Sequence, residues 1–423
     1  MEIKPFFINS NICLNSNDIC SRENFYNSIA GNIGNSYITY ALSKAIFGGL
    51  IDFNHIQNIY TYDFNSQNKD ISTINNECSH VFLILQDQIR INESYNLQLP
   101  FKQLSNFIEK INKPVIVAGL GANSFNGYDN NLHKKLNPEL INFLKVVSEH
   151  TEVIGLRGNY TKEVLHKIGI NNTQVIGCPS FFENGKDRIL IKKAYSPDFK
   201  IALTGFPFPI PKNPNIKVYL QDKQDFEDKI TKIIAFDEIH FDYDFESLPQ
   251  NEYLLVKNEK YRIFSDIESW KKSISKMDFT YGSRLHGAIL SINSGTCAIV
   301  TNSDTRANEM CDFLKIPYMP KYLKTTEFQQ AYEECDFSEM NKNYPILYKN
   351  YENFLNKNGL KLYNGEESYQ YIKQPKLNLY NKKFRICIRI YDSLKFMKPY
   401  FWYQWDDKRI KITLFGIKIS FKK

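Results

Sequence analysis

Seven residues, Tyr281-Gly-Ser-Arg-Leu-His-Gly287, set an arginine and a histidine two positions apart between glycines. Arg284 offers a planar, permanently charged fork that grips carboxylate or phosphate, and His286 is the side-chain type that trades protons near neutrality. Together they point to an anionic substrate and a proton transfer. Side chains two apart on a helix diverge by about 200°. The pair therefore shares a site only where the chain is still extended or turning, which Gly282 and Gly287 favour, with a helix expected from about position 287. A buried, fully satisfied histidine is the plainer alternative.

Other residues of the right type recur at the ends of strand-like runs. Arg157 closes the apolar run 153–157, where a buried cation needs an anion or a carboxylate partner. In Ser303-Asp-Thr-Arg-Ala-Asn-Glu309, Asp304 reads as a helix cap, and Arg306 with Glu309, three apart, as an ion pair. The sharper alternative makes Arg306 a third substrate contact. Two glycine turns, Ala30-Gly-Asn-Ile-Gly-Asn-Ser36 and Ala118-Gly-Leu-Gly-Ala-Asn-Ser124, offer backbone N–H groups and small polar side chains for phosphate or hydroxyl oxygens. The first is not a P-loop and reads more plainly as a tight loop, and the second reads equally as a simple strand-to-helix turn. Asn32, Gly34, Asn35, Gly121, Asn123, Ser283, Asp304 and Arg306 complete the expected contacts around Arg157, Arg284 and His286. Cys178, in Gly177-Cys-Pro-Ser180, has no basic neighbour in sequence and reads as structural.

The elements that must position these residues alternate. Runs 81–85, 114–121, 153–157 and 174–177 are short, apolar and β-branched, and 101–111, 138–149 and 159–168 between them have helical spacing. After a loop-like stretch, 182–199, strands are expected at 201–204, 216–220, 253–256 and 298–301, and helices at 266–276, 288–292 and 305–314. Asp266 is the expected cap of the first of these. Such alternation implies two mainly parallel sheets that bind ligands beyond the carboxyl ends of their strands. The expected division is a Rossmann-like domain over 1–195, a second over 196–330, a helical segment over 331–379 and a tail over 380–423.

Composition narrows the function classes. With 43% hydrophobic and 23% charged residues the chain has a globular composition, and no apolar run approaches the ~20 residues of a membrane span, so a cytoplasmic place is expected. The eight cysteines show no CxxC or Cys/His spacing, which disfavours a disulfide framework and a zinc site. No metal or cofactor is called for. The net charge of +7 belongs to the tail, since 382–423 carries twelve Lys/Arg and three Asp.

In their order these motifs resemble the polysaccharide pyruvyl transferase family. The matching pieces are Gly31-Asn-Ile-Gly-Asn35, the strand and turn 115–121, Leu156-Arg157 with the helix 159–168, Gly177-Cys-Pro-Ser180, 266–270, 278–287 and 304–309, spread over about 25–325. The resemblance implies a fold similar to the GT-B glycosyltransferases, two Rossmann-like domains facing across a cleft. It also implies transfer of pyruvate from phosphoenolpyruvate to a sugar as a ketal. Arg157, Arg284 and His286 are the positions that would hold the donor, with His286 as acid or as hydrogen-bond donor to the departing phosphate. Asn35 and Cys178 stand where many members carry aspartate.

The tail interleaves Lys/Arg with Phe396, Tyr400, Phe401, Trp402, Tyr403 and Trp405 and ends in an alternating, hairpin-like run from Arg409. That mixture suits an anionic membrane face, where a lipid-linked glycan acceptor would reside, and not a recognisable nucleic-acid module; a structural tail is the alternative. Two other functions stay open at this stage: a glycosyltransferase using a nucleotide sugar in capsule or lipopolysaccharide synthesis, and a non-catalytic glycan-binding subunit.

Overall fold

The computed structural model describes residues 3–10, 31–91, 100–205, 213–222 and 261–366, with short gaps inside these ranges, a few single residues beyond 366, and three strands between 401 and 422. The expected strand at 253–256 lies outside the described residues.

Two parallel sheets of six strands carry the molecule. The first holds β1 (Pro5–Ile8), β2 (Asn54–Ile56), β3 (His80–Leu83), β4 (Val115–Leu120), β5 (Ile154–Leu156) and β6 (Thr173–Val175), in the order β2-β1-β3-β4-β5-β6. The second holds β7 (Ile201–Thr204), β8 (Ile216–Tyr219), β9 (Tyr261–Arg262), β10 (Phe279–Gly282), β11 (Cys297–Thr301) and β12 (Tyr318–Met319), in the order β9-β8-β7-β10-β11-β12. That second order is the dinucleotide-fold order 3-2-1-4-5-6. Central strands such as β4 are buried along their whole length, as strands covered by helices on both faces must be. Hence they read as unbroken apolar runs rather than as alternation.

Local chemistry sets the helix boundaries. Helices α1 (Ile33–Phe47), α2 (Asn68–Glu77), α3 (Phe101–Glu109), α4 (Pro138–Glu149) and α5 (Asn159–Lys167) flank the first sheet, and α6 (Ile267–Ile274), α7 (Leu285–Asn293) and α8 (Thr305–Leu314) the second. Asn137 and Asp266 cap α4 and α6 by accepting from the N–H groups of Glu139 (2.8 Å) and Ser269 (2.7 Å).

Helix α1 starts at Ile33 because Asn32 caps it by accepting from the Gly34 N–H. Two boundaries differ from expectation. Helix α7 starts at Leu285, two residues before Gly287, because the chain has already turned at Gly282: its φ is +152°, and a Cβ there would lie 1.9 Å from the Thr204 carbonyl. The expected helical segment over 331–379 begins as two helices, α9 (Phe328–Glu334) and α10 (Ser338–Lys357), parted where Asp336 accepts from the Ser338 N–H. The backbone of Phe401–Trp405, Arg409–Leu414 and Ile417–Lys422 forms a three-stranded antiparallel sheet, one strand more than the expected hairpin.

The cores show how the sheets are joined. One cluster lies wholly in the first domain, between one face of its sheet and helices that include α3 and α4. The other starts on the opposite face at Phe7, Phe82 and Ile116, runs through α1 and Phe181 and Phe182, and continues without a break under the second sheet to α10. Helix α10 also ties back to the first sheet, with Gln174 Nε2 donating to the Asn350 carbonyl (2.8 Å). On the same seam the buried Glu183 carboxylate accepts from Lys271 (2.7 Å), Lys44 and Tyr37. Burial works to raise the pKa of Glu183, but Lys271 and Lys44 outweigh it and hold the carboxyl below its ordinary value.

Candidate functional site

A cavity of about 250 Å³ opens between the domains, at the carboxyl ends of both sheets. In the second sheet it sits where strand order reverses, between β7 and β10, the place such sheets bind ligands. Three helices point their N-terminal ends at it: Asn32, Arg284 and Asp304, the residues preceding α1, α7 and α8, all line its wall. Unsatisfied N–H groups and the aligned peptide dipoles make each such end favourable to an anion.

Arg157, Arg284, His286, Asn32, Asn35, Ser283, Asp304 and Arg306 line the cavity, so the fold brings together eight of the predicted residues. Gly34, Gly121 and Asn123 stand just behind the wall. The Gly34 N–H is taken by Asn32 Oδ1 (2.8 Å), so it is not offered to a ligand; a Cβ there would lie 2.8 Å from the His286 ring. The Gly121 N–H is likewise taken, by the Gln86 carbonyl (2.6 Å). Asn123 spans the domains: its Nδ2 donates to Asp304 (3.0 Å) and its Oδ1 accepts from Thr305 (3.3 Å).

The three arginines are held differently. Arg284, extended at φ −87° and ψ 99°, pairs with Asp222 at 2.6 Å. Arg306 pairs with Asp87 at 2.6 Å and with Asp304 at 2.9 Å, and not with Glu309 as its spacing suggested. Burial works against the charge on Arg306, but Asp87 and Asp304 outweigh it and raise its pKa. Glu309 turns the other way: it accepts from the N–H and hydroxyl of Thr161 at the start of α5, across the domain seam. Its burial pushes it up to about 7. Arg157 is 2% exposed, and among the described residues its guanidinium has neither an ion-pair partner nor a hydrogen bond. Burial and then Arg306 work against its charge, and Cys178, Asp87 and Glu309 pull the other way without reversing the fall.

His286 is half-buried, with an edge on the cavity. Burial, then Arg157 and Arg306, push it down to about 3, against a smaller upward pull from Asp87. The imidazole is therefore neutral at physiological pH. Its Nε2 lies 3.6 Å from Cys178 Sγ, so the thiol expected to lack a basic neighbour has one, brought from 108 residues away by the fold.

Sequence reasoning passed over Gln86, Asp87, Gln221 and Asp222. Gln86 and Gln221 line the cavity, while Asp87 and Asp222 hold Arg306 and Arg284. Each pair consists of polar residues just past an apolar run, Leu83-Ile-Leu-Gln-Asp87 and Tyr219-Leu-Gln-Asp222, which is where parallel sheets carry ligand groups. Gln86 further adopts a left-handed φ of +53°. Among the described residues no cluster of His, Cys, Asp and Glu is arranged to hold a metal, and no helix is long and apolar enough to cross a membrane.

Among solved structures, Anabaena HepE with UDP and glucose is similar at 8% identity over 93% of this chain and 100% of that one, with a TM-score of 0.36. A proposed UDP-N-acetylglucosamine 2-epimerase from Listeria monocytogenes is similar at 10% identity over 82% and 91%, with a TM-score of 0.32. These are loose likenesses. No curated protein matches the sequence. Residues 32–305, which hold every residue placed at the cavity except those past its end at Arg306, Ala307 and Met310, match the polysaccharide pyruvyl transferase family, and the chain belongs to that family of polysaccharide-modifying transferases.

Proposed function

We propose that the protein transfers pyruvate from phosphoenolpyruvate, as a ketal, to a sugar of a bacterial cell-surface polysaccharide or its lipid-linked precursor. The observation that carries this reading is Arg157, a buried guanidinium on the cavity wall with no ion pair or side-chain hydrogen bond among the described residues, Asp87 and Glu309 acting on it only from beyond contact. A buried cation without a partner is costly, and a small anion is the partner that fits. Phosphoenolpyruvate brings a carboxylate and a phosphate, which suit Arg157 from one domain, Arg284 and Arg306 from the other, and the three helix ends. At about 250 Å³ the cavity falls below the roughly 300–1,000 Å³ typical of sites for drug-sized ligands, which favours this donor over a nucleotide sugar.

The chemistry balances without a further reactant. One sugar hydroxyl adds to C2 of the donor while its C3 gains a proton; phosphate leaves C2, and a second hydroxyl closes the ketal. Of the two hydroxyl protons, one is accounted for in the new methyl group and one in the phosphate. Because His286 is neutral before the donor arrives, it serves first as hydrogen-bond donor to the phosphate oxygens; acting as an acid requires it to be charged, which the bound anion favours. Asn35, Gln86, Gln221 and Ser283 remain on the wall for the sugar hydroxyls.

The test incubates the protein with phosphoenolpyruvate and glycan from the source cells. Phosphate release with a pyruvate-sized mass gain on the glycan is expected. Release of a nucleoside diphosphate from a nucleotide sugar, with none from phosphoenolpyruvate, would replace this reading with a glycosyltransferase.

A further inference from the structure

Behind His286, away from the cavity, two enclosed side chains form a short hydrogen-bonded chain. Cys178 Sγ lies 3.6 Å from His286 Nε2 and 2.9 Å from Ser180 Oγ, and both Cys178 and Ser180 are 0% exposed. Among the described residues the Ser180 hydroxyl has no partner but this sulfur. His286 Nδ1 has no protein partner there either; it lies beside Gly34 and is not among the fully enclosed unsatisfied atoms, which leaves it as the ring nitrogen open to a ligand.

The hydrogens can be arranged along this chain in two ways. A neutral imidazole brings one N–H, the thiol one S–H and the serine one O–H. In the first arrangement Ser180 donates to sulfur, the thiol donates to Nε2, and the ring proton sits on Nδ1. In the second, Nε2–H donates to sulfur and the thiol to Ser180, which leaves the serine hydrogen buried with no acceptor. A buried donor left unmade is penalised, so the first arrangement is preferred.

We propose that Cys178 and Ser180 are positioning residues that fix His286 as its Nδ1–H tautomer, making it a neutral hydrogen-bond donor to an anionic oxygen in the cavity. The charged groups acting on the ring are Arg157 and Arg306, which oppose a second proton, and Asp87, which weakly favours one. Burial raises the Cys178 thiol against the pull of Arg157, so the sulfur keeps its proton to donate. The identity of the anion rests on the phosphoenolpyruvate reading, whereas the tautomer is a property of the protein alone.

The experiment reads ¹⁵N shifts of His286 in full-length protein, assigned against His286→Asn, first alone and then titrated with inorganic phosphate as the anion probe. Wild-type and Cys178→Ser, whose hydroxyl still donates to Nε2, are expected to show protonated Nδ1. Cys178→Ala is expected to lose the preference, and Cys178→Asp, an acceptor, to move the proton to Nε2. Phosphate affinity is expected to fall about tenfold in Cys178→Ala, as for one lost hydrogen bond to a charged group, and to return in Cys178→Ser. A matching thermal transition for Cys178→Ser shows that the fold is retained. An Nε2–H tautomer in wild-type protein, or a Cys178→Ala ring that stays Nδ1–H, would overturn the proposal. The Nδ1–H tautomer without turnover of phosphoenolpyruvate upholds the positioning role and removes only the donor assignment.

Discussion

The first domain brings Arg157 to the cavity with no ion pair in contact among the described residues, while the second brings Arg284 and Arg306 already paired with Asp222, Asp87 and Asp304. The difference separates binding from architecture. A paired arginine contributes to the unliganded fold and lends an anion only part of its field. An unpaired, desolvated one is a cost to the fold that a ligand relieves, which is how a site becomes selective for charge.

Removing each arginine tests that separation. Arg157→Ala is expected to lower kcat/KM for the donor by about thirtyfold to several thousandfold, as truncating one partner of a buried charge pair costs roughly 2–5 kcal/mol. The thermal midpoint of the unliganded protein should stay or rise; a marked fall would show that Arg157 is architectural after all.

Glu309 backs the same arginine from across the seam, and its effect is next in size. Its folded pKa of about 7 is raised above the ordinary 4.5, so the folded state binds this proton more tightly than the unfolded state. The resulting stability is fully present below about pH 4.5 and lost as pH rises through about 7, on the order of 3 kcal/mol in all. Urea midpoints at pH 5 and 8 should differ accordingly in the wild type and converge in Glu309→Gln.

Donor binding gives a somewhat smaller shift. At a hundred times its Kd, phosphoenolpyruvate should add about 2.7 kcal/mol to stability, seen as a raised midpoint in calorimetry. The rise should vanish in Arg157→Ala and persist, reduced, in Arg306→Ala. The smallest effect is on the unliganded fold. Arg306→Ala leaves the buried Asp87 with Arg90 in contact and Arg157 farther off, but the Arg306 side chain is 35% exposed, so a loss on the order of 1–2 kcal/mol in denaturant unfolding is expected. A stability loss in Arg157→Ala larger than in Arg306→Ala would reverse the contrast.

Much of this is legible in the sequence because the relevant physics is local. Helices at 138–149 and 305–314 fall at their expected ends, where Asn137 and Asp304 sit as caps, and so does the apolar strand 201–204. Arg157, Arg284 and His286 stand out because a charged or titratable side chain at the carboxyl end of a buried strand needs a ligand or a partner to offset its desolvation. What escapes the sequence depends on residues far apart in it. Arg306 chooses Asp87 over the nearby Glu309 because Glu309 binds the start of α5 in the other domain. Cys178 meets His286 only where the domains join. The start of α7 shifts because Gly282 turns the chain against Thr204, a neighbour only in the folded sheet.

The apolar cluster that runs unbroken beneath both sheets has a further consequence. Two lobes sharing one apolar interior are expected to melt as a single calorimetric unit, since parting them near Glu183 would bare the flank of α1 to water. A cavity walled by such a body keeps a width set by the shared packing, which a single calorimetric transition would support and two separate transitions would refute.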